Sequence, residues 1–341
     1  MDETLRILNL ENERQRESLR SFLSRFSFTL DEVDFAVVLL DHGEIVASCC
    51  KQRNVLKFFA IDPLYQNQGL SQKLLTEVTY RMFEEGYDHS FVFTPLSNRG
   101  IFKSLGYDEV ATSDEVVLLE KGPETIVEYI RRIDESYGLS DKENGAIVMN
   151  GNPFTLGHQY LIETAAKYVQ QLLIFVVEEE ASTFPFHDRF RMFQEGTKHL
   201  NNVILIPSGR YIISQATFPN YFLRDLQNSF AIYATLDVTI FGKWFKKLNI
   251  TKRFVGEEPL DPMTNQYNET MKKILPDYGI ELVVIPRVSN EQGIISASIV
   301  RRLLKEDKWD EAKKYVPSST FEYLRNANEV IAELKKHDRK H

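Results

Sequence analysis

Two short stretches carry residue types whose spacing suits phosphate chemistry. In "NGNPFTLGHQYLIETAA" a turn rich in Gly, Asn and Pro joins an apolar stretch, "GAIVMN", to a helical pattern that starts at Thr155-Leu156-Gly157-His158. A helix N-terminus exposes unpaired backbone N–H groups and carries partial positive charge, so it favours an anion. Gly151 and Gly157 let backbone approach phosphate closely, and Asn152, Pro153 and Phe154 form the turn between them. Thr155 and His158 lie three residues apart and so turn toward the same anion. The second stretch, "GIISASIVRRLLKE", repeats the arrangement. Ile295 leads into Ser296, a good N-cap; Ser298 falls in the first turn, and Arg301 follows three residues later on nearly the same face. A hydroxyl, a helix end and a guanidinium that converge suit a polyphosphate. Each stretch alone also reads as a capped surface helix with solvated side chains, but the pair in this order fits that reading poorly.

The elements that must position these residues follow from periodicity. Residues 145–177 read as strand, turn, helix, strand, a right-handed βαβ unit of a parallel sheet. The helix is expected to bury Leu161, Ala165 and Val169, leaving His158 an exposed first-turn residue. Further strands are expected at 203–206, up to Gly256 and up to Pro286. Each stops in a loop carrying polar residues, among them Glu257, Glu258 and Arg287, as the ligand-binding ends of a doubly wound sheet do. Gly256 is suited to letting a base or ribose lie on the backbone. In "FPFHDRFRMF", Arg189 is the phosphate candidate, set against a solvated helix face.

Residues 1–121 read as an α+β unit. Asp41-His42-Gly43 marks a hairpin turn, and "VLKFFAID" is a strand leading into Gln66-Asn67-Gln68-Gly69-Leu70-Ser71. Residues 122–144 form a linking helix with Ile126, Tyr129, Ile130 and Ile133 on one face, and 145–341 make the second domain. A chain of 341 residues carries two domains by default. The net charge of -8 leaves no basic footprint, so neither nucleic acid nor an anionic membrane surface is an expected partner. The charged N-terminus lacks the apolar core of a signal peptide, and no uncharged apolar run approaches the ~18 residues that span a bilayer. The two cysteines, Cys49 and Cys50, are adjacent, and strand neighbours point to opposite faces, so they are poorly placed to bond each other. With no C-x-x-C or H-E-x-x-H there is no protein-built metal site to expect. These features predict a reduced, cytoplasmic protein with small-molecule or protein partners.

Thr155-Leu156-Gly157-His158 and Ile295 to Arg301 together resemble the H/T-x-G-H and I-S-x-S-x-x-R signatures of the nucleotidyltransferase superfamily, over roughly 145–315. That resemblance implies an α/β fold with a doubly wound, Rossmann-like parallel sheet. It also implies transfer of a nucleotidyl group from a nucleoside triphosphate with release of pyrophosphate. Gln66 to Ser71 resembles the Q/R-x-x-G-x-G/A loop with which GNAT acetyltransferases hold the pyrophosphate of coenzyme A. "FTPLSNRGIFKSLGYDEV", with Asn98, Phe102 and Leu105-Gly106-Tyr107, resembles that family's second motif. Ser71 stands where the family has Gly or Ala, and Phe102 or Lys103 where many members carry an acid-donating Tyr. The resemblance therefore implies a GNAT-like domain that holds a coenzyme A-like arm without transferring acetyl itself; a scaffold-only role is the alternative.

A GNAT-like domain ahead of such a nucleotidyltransferase resembles the citrate lyase ligase family across nearly the whole chain. The resemblance implies an acid-thiol ligase that converts ATP, acetate and the thiol form of the citrate lyase acyl carrier subunit into AMP, pyrophosphate and the acetyl thioester. Carried over residue by residue, Thr155 and His158 act on the α- and β-phosphates, and Ser298 and Arg301 hold the departing pyrophosphate. Gly151, Asn152, Pro153, Phe154, Gly157, Arg189, Gly256, Ile295 and Ser296 surround ATP, with Mg²⁺ bridging its phosphates. Gln66, Asn67, Gln68, Gly69, Leu70, Ser71 and Asn98 contact the arm. Two other readings stay open: an adenylyltransferase acting on a phosphorylated cofactor precursor, and a GNAT acetyltransferase with a nucleotide-sensing domain.

Overall fold

Runs of Val, Leu and Phe bounded by turn residues form the first sheet. The computed structural model describes residues 3–139, 141–178, 182–212, 229–257, 262–287, 289–290 and 293–336. Strands β1 (Thr4–Ile7), β2 (Phe35–Asp41), β3 (Glu44–Gln52), β4 (Val55–Ile61), β5 (Ser90–Pro95), β6 (Asp108–Thr112) and β7 (Val116–Lys121) lie in the order β1-β2-β3-β4-β5-β7-β6. His42 and Gly43 close the β2–β3 hairpin with φ of 49° and 88°, the positive values that a two-residue hairpin turn demands. The β4–β5 pair is parallel and brief, joined only at Val55–Phe91 and Leu56–Val92. Helix α1 (Glu13–Ser24) buries Leu19, Phe22 and Leu23 in one core with Cys50. Helix α2 (Leu70–Glu84) buries Leu70, Leu74 and Val78 in another with Cys49. The adjacent cysteines thus enter separate cores, both free, and burial raises both thiol pKa values. Helix α3 (Arg99–Ser104) adds Phe102 to the α2 core.

The chain divides into two compact units, Met1–Tyr129 with Gln215–Thr239 and Ile130–Ser214 with Ile240–His341. The division falls inside α4 (Ile126–Tyr137), where Ile126, Tyr129, Ile130 and Ile133 are all buried, as their spacing predicts.

The second unit holds a five-stranded sheet of β8 (Asn144–Met149), β9 (Gln171–Val176), β10 (Val203–Pro207), β11 (Ile250–Gly256) and β12 (Glu281–Ile285) in the order β10-β9-β8-β11-β12. Every pairing is parallel. The chain winds outward from β8 through β9 to β10, then returns to the other side of β8 with β11. The switch between β8 and β11 opens a crevice at the carboxyl ends of the strands, where α/β sheets bind ligands. Helices α5 (Leu156–Ala165), α6 (Phe186–Thr197), α8 (Pro262–Ile274) and α9 (Ala297–Lys305), with the end of α7 (Ser229–Trp244) from Ile240 on, complete the elements of this unit that matter for the site.

The buried face of α5 differs from expectation. It carries Ile162 and Ala165; Leu161 is only partly buried, and Val169 lies past a 3₁₀ turn at Ala166–Tyr168. The tighter winding after Ala165 breaks the 3.6-residue count on which Val169 was placed.

A second departure concerns Gly151 and Phe154. Phe154 is wholly buried and packs on Phe193, ring centroids 4.7 Å apart. Gly151 has a φ of 59°, and a Cβ there would stand 2.3 Å from the Phe193 ring. Both residues serve the packing of α6 under the turn, so the nucleotide contacts expected of them are corrected to structural roles. The same packing sets Gly196 of α6, where a Cβ would meet Phe154 at 2.3 Å. Gly196→Ala should therefore overpack this core and lower stability by about 1–3 kcal/mol, against the usual gain from removing a helical glycine. Urea unfolding of the variant checks this through its midpoint.

Candidate active site

Helix α5 starts at Thr155, whose extended backbone (φ -120°, ψ 168°) makes it the N-cap. The cap is reciprocal. The His158 N–H donates to Thr155 Oγ1 at 3.3 Å, and the Thr155 N–H donates to His158 Nδ1 at 3.0 Å. An Nδ1 that accepts from the backbone leaves the proton of the neutral ring on Nε2. Burial, with the Arg287 guanidinium as the second cause, pushes the imidazole down to about 4. His158 is thus half-buried rather than exposed. It stacks near Phe154, centroids 5.8 Å apart, and at neutral pH it is an uncharged Nε2–H donor.

Helix α9 repeats the capped start. Ser296 Oγ accepts from the Ile299 N–H at 3.3 Å and lies 2.9 Å from Ser298 Oγ. The two motifs then touch. A Cβ at Gly157 would stand 3.3 Å from the Ile295 carbonyl oxygen and 3.5 Å from its Cγ2. Gly157 therefore admits the second motif against the first. Arg301 reaches back from α9 to donate to the Asn152 carbonyl; it is half-buried, which lowers its pKa, while Arg302 is exposed.

A cavity of about 370 Å³ lies at this junction. Thr155, Gly157, His158, Gly256, Ile295 and Ser296 are among its lining residues. At Gly256 a Cβ would meet nothing within 4 Å, so the end of β11 faces open space. Asn152 and Pro153 belong to the turn beside the cavity. Asn152 Oδ1 accepts from the Phe184 N–H at 3.1 Å, and Pro153 is buried. Ser298 and Arg301 also stand outside the lining. Arg189 needs correction. It is fully buried, and its guanidinium donates to the carbonyls of Phe184, Asn150 and Val177 and to Asn150 Oδ1 at 2.6–2.9 Å. It ties the backbone around the β8 end together and has no face left for phosphate.

In the first unit, Gln66, Asn67, Gln68 and Gly69 are exposed. Asn67 and Gly69 have φ of 61° and 77°, and Gly69 is the N-cap of α2. A Cβ at Gly69 would meet nothing within 4 Å, so the space beside the start of α2 is open. Ser71 is half-buried in that first turn. The side chain of Leu70 is core, so the contact assigned to it narrows to its backbone. Asn98 Nδ2 donates to Thr94 Oγ1 at 3.0 Å. Tyr107 is buried with its hydroxyl 2.9 Å from Ser90 Oγ, and burial raises its pKa. Phe102 is core, and Lys103 pairs with Glu109 at 3.6 Å.

Residues 144–324 match the family described as the citrate lyase ligase C-terminal domain, and residues 2–107 match the acetyltransferase (GNAT) family. The chain is 37% identical to a citrate pro-3S-lyase ligase of Klebsiella pneumoniae, over 94% of this chain and 95% of the relative. It is 35% identical to the enzyme so named of Haemophilus influenzae, over 92% and 97%, and 31% identical to that of Escherichia coli, over 94% and 93%. The chain belongs to the citrate lyase ligase family.

In this citrate lyase ligase family member, motif reading missed part of the cavity wall. Arg253, Tyr160, Tyr267 and Asn268 also line it, as does Arg287, noted only as a loop residue. Asn268 Nδ2 donates to the Gly256 carbonyl at 3.4 Å, tying α8 to the end of β11. Arg253 had a signal: strands of a parallel sheet are covered on both faces and run apolar, and "ITKRFVG" breaks that run with Lys252 and Arg253. Among the described residues, no cluster of three or more His, Cys, Asp or Glu is placed to hold a metal, and no helix is long and apolar enough to cross a membrane.

Because His158 both caps and lines the cavity, His158→Ala confounds two losses. Gln at N3 keeps a capping box, so His158→Gln should stay within about 0.5 kcal/mol of the parent while adenylation falls roughly 10²–10³-fold, the usual loss for one charge-stabilising donor. The folded imidazole titrates below its unfolded value near 6.5, so the unfolded chain binds the extra proton between about pH 6.5 and 4. Stability present above that window should fall as pH drops through it. Chemical unfolding across pH checks both points: His158→Gln should lose this acid-side slope.

Proposed function

We propose that this protein activates acetate with ATP and passes the acetyl group to the thiol arm of the citrate lyase acyl carrier subunit, releasing AMP and pyrophosphate. The observation that carries the reading is the meeting of two capped helix N-termini, at Thr155 and Ser296, with the neutral Nε2–H of His158 at one cavity on the sheet's switch point. Acetate is an anion at neutral pH, so its attack on the α-phosphorus needs no general base. A carboxylate oxygen bonds to that phosphorus, the bond to the β-phosphate oxygen breaks, and pyrophosphate leaves. The task of the protein is placement and charge cancellation. His158 donates to a phosphate oxygen, and the first amides of α5 and α9 supply the remaining donors. Thr155 fixes the His158 tautomer, Arg301 holds the turn through Asn152, and Ser298 supports Ser296. Gly256 gives the nucleotide a flat backbone surface. Mg²⁺ bound to the triphosphate would offset its charge. The carrier sulfur then attacks the acetyl carbon, AMP departs, and the thiol proton passes to solvent. Both free cysteines being buried is in keeping with a reducing cytoplasm.

The Gln66–Ser71 loop is assigned to the pyrophosphate of the carrier arm. The exposed residues Gln66 to Gly69 and the open space at Gly69 support this, and the engaged hydroxyl of Tyr107 argues against acetyl transfer by the first unit. Acetate-dependent ATP–pyrophosphate exchange tests the activation step. Exchange supported instead by phosphorylated acceptors, with AMP retained in the product, would overturn it. For the loop, Gly69→Asn keeps a residue tolerant of positive φ while filling the space before the amides. Exchange should stay near normal and acetyl transfer to the carrier should fall about tenfold or more. Equal transfer in parent and variant would remove the loop from the carrier site.

A further inference from the structure

Arg253 is a buried charge to which the mechanism above gives no task. Arg253 sits inside β11 and is 3% exposed. Its guanidinium lies 4.0 Å over the Phe241 ring, which covers one face. Among the described residues, neither Nε nor Nη1 has a hydrogen-bond partner. A buried guanidinium with orphaned N–H groups is costly, and ring contact offsets only part of that. Such a group persists where a ligand supplies the missing acceptor, and Arg253 lines the same cavity as His158 and Ser296.

We propose that Arg253 is the receptor for the substrate carboxylate, the residue by which this cavity selects a short carboxylate such as acetate. The inference rests on the function proposed above. Two anions enter that reaction. The triphosphate has the ends of α5 and α9 and the His158 Nε2–H, all at the carboxyl end of the sheet. The backbone of Arg253 lies three residues before the last residue of β11, roughly 10 Å below the strand end at 3.3 Å per residue, and its side chain still lines the cavity. The cavity lining also includes the apolar Met271 of α8. A polyanion would lose its hydration there with one cation to replace it. A monoanion needs only one cation, and a guanidinium that holds one carboxylate oxygen leaves the other free for the α-phosphorus.

Arg253→Met removes the charge at similar length. It should raise the half-saturating acetate concentration in ATP–pyrophosphate exchange roughly 10–10²-fold, the worth of one charged hydrogen-bond set. ATP binding measured calorimetrically without acetate should stay within about threefold. The melting temperature should hold or rise, because an uncompensated charge leaves the interior. Should Arg253→Met fail to fold, Arg253→Lys decides: it keeps the charge, loses the fork, and should raise the acetate requirement several-fold. An unchanged acetate requirement in the folded variant overturns the proposal, and so does a tenfold loss of ATP affinity with acetate unaffected. Exchange by the unmodified protein that ignores acetate would instead sink the functional reading itself, so the two failures are told apart.

Discussion

The reciprocal cap between Thr155 and His158 is the interaction on which the site depends. It ends the turn after β8, starts α5, and holds the imidazole with Nδ1 on a backbone amide. Because that amide is a donor, the ring has one neutral tautomer available, and its remaining nitrogen is a donor as well. Partial burial with Arg287 nearby then keeps the ring uncharged at neutral pH. A neutral donor suits a reaction in which negative charge moves from one phosphate oxygen to the next, since it stabilises each without trapping the product as a fixed cation would. The backbone conformation that begins the helix therefore also sets the chemistry of its third residue.

Much of this was readable from residue order. The five parallel strands, the α4 face of Ile126, Tyr129, Ile130 and Ile133, the His42-Gly43 hairpin and the Ser296 cap all follow from local pattern and turn chemistry. What escaped depended on long-range packing. Gly151 and Phe154 sit in a motif that looks wholly devoted to phosphate, yet Phe193 and Gly196 from α6 claim them. Arg189 looks like a phosphate ligand in its own stretch, but the carbonyls of Asn150 and Val177, remote in sequence, take up its guanidinium. The glycines divide the same way. Gly157 and Gly256 both lack a side chain beside the cavity, but for different reasons: the first makes room for Ile295, the second leaves the surface open. Residue type alone does not separate these cases, because each turns on which neighbour arrives from elsewhere in the chain.

Motifs mark the end of the sheet well and its depth poorly. Phosphate recognition uses backbone amides at helix starts, which demand Gly, Ser and Thr in fixed order and so leave a pattern. Recognition of a small acid needs one cation, which leaves no fixed pattern of residues, only a charged residue buried within a strand. Arg253 is that residue, and its cost is the argument for its use. Salt bridges elsewhere in this unit, such as Lys252 with Glu143 at 3.3 Å on the same strand, lie where water screens them. Arg253 has the ring of Phe241 and, among the described residues, no carboxylate. A core assembled for stability alone would place an apolar side chain there, as removal of buried unpaired charge generally stabilises. The strand instead retains a buried cation with orphaned N–H groups at the cavity wall, which is the feature the proposed carboxylate contact would satisfy.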